Sequence, residues 1–278
     1  MQEALNGIFI FVFGLFWGSF FNVCIYRLPK NISIIKPRSF CPKCQASIKW
    51  YDNIPVLSFL FLRGKCRNCS AKISLRYPVI EIISAALFLV LYIKFGFTFN
   101  FFKYLFFFAL LVIVSAIDID YHAIPVYLCF IGVIVGLILD LAASIKMLNS
   151  GLLTNLGALP ILKAFKNLIF GFGFVYLFKF FGDIFINLYL SLRKKDSIEG
   201  EKESLGLGDV DFMGMVGVFL GAKAVITVFF LAPFFAMVYS VFAIIFKKSH
   251  LIPYLPYLSL AALTAFFWQD KILKIAGF

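Results

Sequence analysis

The sequence predicts an all-α polytopic membrane protein of about eight transmembrane helices, with one polar, cysteine-bearing loop between helices 1 and 2. Three observations lead there. Hydrophobic residues make up 62% of the 278 positions and charged residues only 14%, whereas soluble domains carry about 25% charged residues. Apolar runs of roughly the 20 residues needed to cross a bilayer recur along the chain. Lysines and arginines gather in the connections between those runs, so the net charge of +12 reads as membrane topology, and nucleic acid is not an expected partner.

The runs fall near 5–26, 78–95, 99–119, 124–145, 165–192, 208–221, 224–246 and 252–268. The first lacks a basic leading region and an A-x-A-like cleavage site and is followed by positive charge, so it is expected to be a retained helix with its N-terminus outside. The sixth is short, and Gly221-Ala222-Lys223 offers the turn that separates it from the seventh. With this orientation the inner segments 27–77, 120–123, 193–207 and 247–251 hold 17 of the 26 Lys and Arg, 11 of them in 27–77. The expected organisation is a first helix over 1–26, a cytoplasmic loop over 27–77 and a membrane body over 78–278. No internal repeat is evident. The 38 phenylalanines suit lipid-facing surfaces, and the mixed charges from Arg193 to Glu203 read as a solvated connection.

Within the loop, Cys41-Pro42-Lys43-Cys44 and Cys66-Arg67-Asn68-Cys69 are separated by 21 residues. Two such pairs supply four thiolates at the spacing of a structural zinc site, each pair wrapping one side of a tetrahedral ion. The alternative, two disulfides, requires an oxidising compartment, against which the basic loop argues. Cys24 and Cys129 lie in apolar runs and read as small buried hydrophobes.

Acidic residues meet apolar helices at Ile117-Asp118-Ile119-Asp120, ending the third span, and at Gly206-Leu207-Gly208-Asp209-Val210-Asp211, opening the sixth. Ionisable groups at membrane depth are expensive, which makes Asp118 and Asp209 functional candidates. Two nearby carboxylates cannot both ionise cheaply. One then stays protonated while the other acts as base on water, an arrangement that hydrolyses a peptide bond without a covalent intermediate. Gly206 and Gly208 remove Cβ atoms where a backbone or substrate strand could approach closely; the competing reading has Asp209 capping a helix N-terminus. Asp120 and Asp211, two residues along, face elsewhere and read as interfacial neighbours. His122 and His250 read as solvated loop histidines.

The order of motifs resembles a known family. Gly18-Ser19-Phe20-Phe21-Asn22-Val23 with Tyr26-Arg27-Leu28-Pro29, the two cysteine pairs, Asp52-Asn53-Ile54-Pro55-Val56-Leu57-Ser58, Arg63-Gly64, Ser74-Leu75-Arg76-Tyr77-Pro78 and Glu81 resemble the bifunctional type IV prepilin peptidases. So do Asp118 followed by Ile124-Pro125, and Gly206-x-Gly208-Asp209, the two aspartate motifs of the GxGD membrane proteases. The resemblance spans nearly the whole chain. It implies Asp118 and Asp209 as the catalytic pair, prepilin or pseudopilin leaders as substrates cut on the cytoplasmic face after a glycine, and N-methylation of the new terminal residue with S-adenosylmethionine as donor. It also implies a bacterial cytoplasmic (inner) membrane location. The cysteine loop is then linked to methylation or substrate handling, with zinc folding it. Val126 stands where the family often has Asp, and Asp211 where it often has a basic residue; the second change is expected to raise the apparent pKa of the pair. Two other classes are weighed: a transporter using Asp140 and Asp183, and a non-catalytic zinc-ribbon assembly protein that keeps the cysteines and dispenses with the acids.

Overall fold

The computed structural model describes residues 2–151, 155–193, 204–245 and 253–275. His250 and most of the 193–203 connection lie outside them. Nine α-helices occur among the described residues: α1 Gln2–Arg27, α2 Leu57–Phe61, α3 Arg76–Phe95, α4 Phe99–Tyr121, α5 Val126–Asn149, α6 Pro160–Arg193, α7 Leu207–Leu220, α8 Ala222–Ile245 and α9 Leu255–Ile275. All but the short α2 coincide with the eight apolar runs. Six of them, α1, α3, α4, α5, α6 and α8, are long and apolar enough to cross a membrane, and the chain is a multi-pass membrane protein. The count of eight spans is therefore not confirmed. At 14 residues and about 1.5 Å of rise each, α7 reaches about 21 Å, short of the roughly 30 Å hydrocarbon core.

The chain forms two compact units, Met1–Tyr121 and His122–Phe278. In the first, α1 packs along α3 and both touch α4. Their approach is set by small residues. A Cβ on Gly14 would lie 2.6 Å from the Ala85 backbone, and one on Gly18 2.6 Å from that of Glu81, so Gly14-x-x-x-Gly18 is a small-residue seam of the kind that joins helices in lipid. Between α1 and α3 the chain leaves the helical layer as the loop over 28–75, built of turns, two short 3-10 helices, the short α2 and two isolated bridges.

The second unit centres on α7, which is buried along nearly its whole length and packs on α5, α6, α8 and α9. It runs so close to α6 that a Cβ on Gly217 would meet the Asn167 carbonyl at 2.4 Å. Helices α6 and α8 turn large apolar residues outward, among them Phe181, Phe185, Phe230 and Phe234, as helices facing hydrocarbon do.

Candidate active site and metal centre

The four loop cysteines come together. Their sulfur atoms all lie within 4.8 Å of one another, with Cys41 Sγ and Cys69 Sγ 3.9 Å apart. Four thiolates about 2.3 Å from a central ion sit about 3.8 Å apart in a tetrahedron, so the cluster has the dimensions of a metal centre, and every cysteine is a free thiol.

Each half is a knuckle, and the two are copies 25 residues apart. Cys41 N donates to Ala46 O and Gln45 N to Cys41 O; Cys66 N donates to Ala71 O and Ser70 N to Cys66 O, all at 2.9 Å. The bridges Phe40–Ser47 and Lys65–Lys72 follow the same offset, and Gln45 and Ser70 both take the left-handed conformation that closes the turn. In sequence the copies share C-x-x-C-x-A-x-I. That short repeat, missed at the level of whole-chain periodicity, was legible in the residues.

The thiols divide their charge unequally. Backbone N–H groups of Cys69 and Asn68 bring the Cys66 thiol down to about 7. For Cys69 the Ala71 N–H works in the same direction, but desolvation and the neighbouring thiols of Cys44, Cys66 and Cys41 outweigh it and push it up to about 11. One thiolate forms readily and the next is opposed by it. A divalent cation removes that opposition, so the donor set fits such an ion.

The motif residues around the loop also meet. Asn22 on α1 donates to Tyr77 O at 3.0 Å, and buried Glu81 on α3 accepts the Val56 N–H at 2.7 Å. Val56 holds φ of +59°, an unfavourable conformation for a β-branched residue; the Glu81 bond helps fix that turn. Arg67 grips Asp52 with two bonds of 2.8 and 2.6 Å, which hold the Asp52 carboxyl below the ordinary carboxylate range.

Asp118 is buried near the C-terminal end of α4, whereas Asp120 is exposed and pairs with Arg76. In the second unit Asp209 is buried in the first turn of α7, where its Oδ2 accepts the Gly206 N–H at 3.2 Å. The capping reading is therefore realised, and capping leaves a buried carboxylate in place rather than replacing one. Gly208 has a steric reason: its Cβ would lie 2.6 Å from Ile124 Cγ2, so the Ile124-Pro125 segment packs directly over the residue preceding Asp209. At Gly206 the nearest atom to a Cβ is Asp209 Oδ2, at 3.4 Å. Asp118 belongs to the first unit and Asp209 to the second.

Sequence reasoning missed the anchor of the Asp209 turn. Buried Lys179 on α6 donates to Asp183 Oδ2 at 2.9 Å and to Leu205 O at 2.8 Å. Asp183 Oδ1 in turn accepts from both the backbone N–H and the hydroxyl of Ser204, each at 2.7 Å. The i,i+4 spacing of a lysine and an aspartate inside an apolar helix was the available signal. Asp183, weighed above as a transporter residue, is engaged in this latch.

Residues 12–95 match the family described as Bacterial Peptidase A24 N-terminal domain, and residues 105–241 the Type IV leader peptidase family. A prepilin leader peptidase/N-methyltransferase of Klebsiella pneumoniae is 34% identical over 228 residues, covering 79% of this chain and 87% of that protein. The chain belongs to the type IV leader peptidase family. A Bacillus subtilis protein of the same name is 29% identical over 270 residues, 95% of each chain. One from Myxococcus xanthus is 33% identical over 232 residues, 82% of this chain but only 60% of its own length. No solved structure matches. The two family segments divide the site residues: the first contains the four cysteines, Asn22 and Glu81, and the second Asp118, Gly206, Gly208 and Asp209.

Proposed function

We propose that this protein is a membrane aspartyl endopeptidase that removes the leader of prepilins or pseudopilins after a glycine, at the cytoplasmic face, and N-methylates the new terminus with S-adenosylmethionine. The observation that carries the reading is a buried carboxylate at each of two helix ends, Asp118 and Asp209, in a chain of this family. Acting as a pair, the ionised carboxylate takes a proton from water, whose oxygen attacks the scissile carbonyl carbon. The protonated partner gives its proton to the carbonyl oxygen. The tetrahedral species then collapses, the C–N bond breaks, and the amine leaves with a proton from the pair. The positive-inside bias of the loops supports the cytoplasmic face.

Cys41, Cys44, Cys66 and Cys69 would hold zinc, which supplies no reaction step and folds the 27–77 loop as a module distinct from the peptidase body of 78–278. Methylation requires the freed amine unprotonated: its lone pair attacks the donor methyl carbon while the C–S bond breaks and its electron pair stays on sulfur. Purified enzyme in lipid, given a candidate prepilin and labelled donor, should release the leader and add one methyl group to the product. Asp118→Asn and Asp209→Asn should each abolish cleavage without unfolding the protein. Near-normal cleavage by either variant overturns the assignment.

A further inference from the structure

The motif residues of the first unit that proteolysis does not use surround one cavity. It measures about 780 Å³ and lies between the cysteine loop and the loop-side ends of α1, α3 and α4, within the range of about 300–1,000 Å³ typical of small-molecule sites. Asn22 and Glu81 line it and are 3% and 7% exposed. The amide nitrogen of Asn22 is occupied by Gly18 O and Tyr77 O, but its Oδ1 is buried with no hydrogen-bond partner. Arg76, also in the lining, pairs with Asp120 yet leaves Nε buried and unpartnered. Buried polar atoms of native proteins are nearly always satisfied, and one left open beside a cavity is a place for a ligand atom. Aromatic walls come from Tyr26, Phe40 and Tyr77.

The set is specific in its chemistry: a buried amide acceptor for an N–H, the Glu81 carboxylate for a cationic centre, the open Nε of Arg76 to donate to a carboxylate, and ring faces for a flat base or a sulfonium. We propose that this cavity is the binding site of the methyl donor S-adenosylmethionine, with Asn22 and Glu81 as its recognition residues. The inference rests on the methyltransferase reading above. The donor presents an adenine with exocyclic N–H, a sulfonium, and an amino acid carrying both charges, so each feature has a counterpart in the lining. Cys41 and Cys66 form part of the wall, which couples the site to the metal knuckles and gives the metal a reason to matter for methylation without touching Asp118 or Asp209.

The test is equilibrium dialysis of full-length, metal-loaded protein in nanodiscs against labelled S-adenosylmethionine, and against S-adenosylhomocysteine as competitor. Glu81→Gln keeps an acceptor for the Val56 N–H while deleting the charge, and Asn22→Leu deletes the open acceptor. Each should weaken donor binding at least tenfold, with zinc content and melting temperature unchanged. If Asn22→Leu lowers either of those, Glu81→Gln alone decides. Donor affinity within twofold of wild type in a folded Glu81→Gln protein overturns the site. Wild-type protein that methylates pilin but binds no donor in dialysis also overturns it. Donor bound at this cavity by an enzyme that never methylates defeats the transferase reading instead and leaves the site standing.

Discussion

Replacing Lys179 by Met tests whether the latch on α6 positions Asp209. The substitution keeps the stem's volume and removes the Nζ that holds Asp183 Oδ2 and Leu205 O. Hydrogen bonds to a charged group contribute about 1.5–3 kcal/mol each. The Asp183 side chain retains 27% exposure, so water compensates part of its loss, and about 2–4 kcal/mol of local ordering disappears. Ser204 and Leu205 lead directly into Gly206, whose N–H bonds Asp209. At 1.4 kcal/mol per factor of ten, the ordered turn becomes roughly 30 to 1,000 times less favoured. Helices α6 and α7 still pack through their small residues, so global unfolding should barely move. Two measurements separate these effects: hydrogen exchange at the Ser204 and Asp209 amides, expected to accelerate, and prepilin cleavage, expected to fall at least tenfold. Because Lys179→Met leaves Asp183 without its cation, adding Asp183→Leu should recover part of the exchange protection. Unchanged exchange and cleavage in Lys179→Met refute the latch.

Three further outcomes follow from contacts in the two units. Gly208→Ala places its Cβ against Ile124 and should destabilise the Asp209 turn by about 1–3 kcal/mol, with cleavage partly restored by Ile124→Ala; Gly206→Ala, where the nearest atom is 3.4 Å away, should be milder in the same assay. Cys66→Ser should lower the metal-to-protein ratio measured by atomic emission and reduce methylation more than cleavage, and equal losses of both products contradict the separation. Arg67 lowers the pKa of Asp52, so this pair stabilises the loop above the unfolded carboxylate value of about 4 and the contribution is lost as pH falls through the lowered folded value. Trp50 emission followed from pH 6 down to about pH 2 should report that acid transition below about 4, and Arg67→Ala should weaken it.

The helices were legible because a 20-residue apolar run has few alternatives in a bilayer, and each of the eight runs met its helix. What length and composition left open was whether α7 and α9 cross. A helix as buried as α7 is apolar because of its neighbours, so its hydropathy says nothing about lipid. The cysteine cluster was legible because C-x-x-C closes a knuckle by backbone geometry alone. Glu81–Val56 and Lys179–Asp183–Ser204 were not, since each joins residues whose proximity depends on tertiary packing. Asp209 shows the intermediate case, in which both readings of the residue, cap and buried acid, hold at one position.

The loop and the helical body are held by different physics, and that difference should make the two activities fail separately. The body buries apolar side chains and small-residue seams, and a chelator does not reach those. The loop has no α-helix longer than the five residues of α2, and its knuckles meet at the cysteine cluster, so a metal bound there would govern its order. Cys41 and Cys66 also wall the cavity. Removing the metal should therefore open the proposed donor site while leaving the carboxylates of α4 and α7 in place. A zinc chelator should abolish donor binding and methylation at concentrations that spare cleavage, and zinc added back should restore both. Cleavage lost in parallel with methylation would mean that the loop also grips the substrate, so that the knuckles serve both reactions.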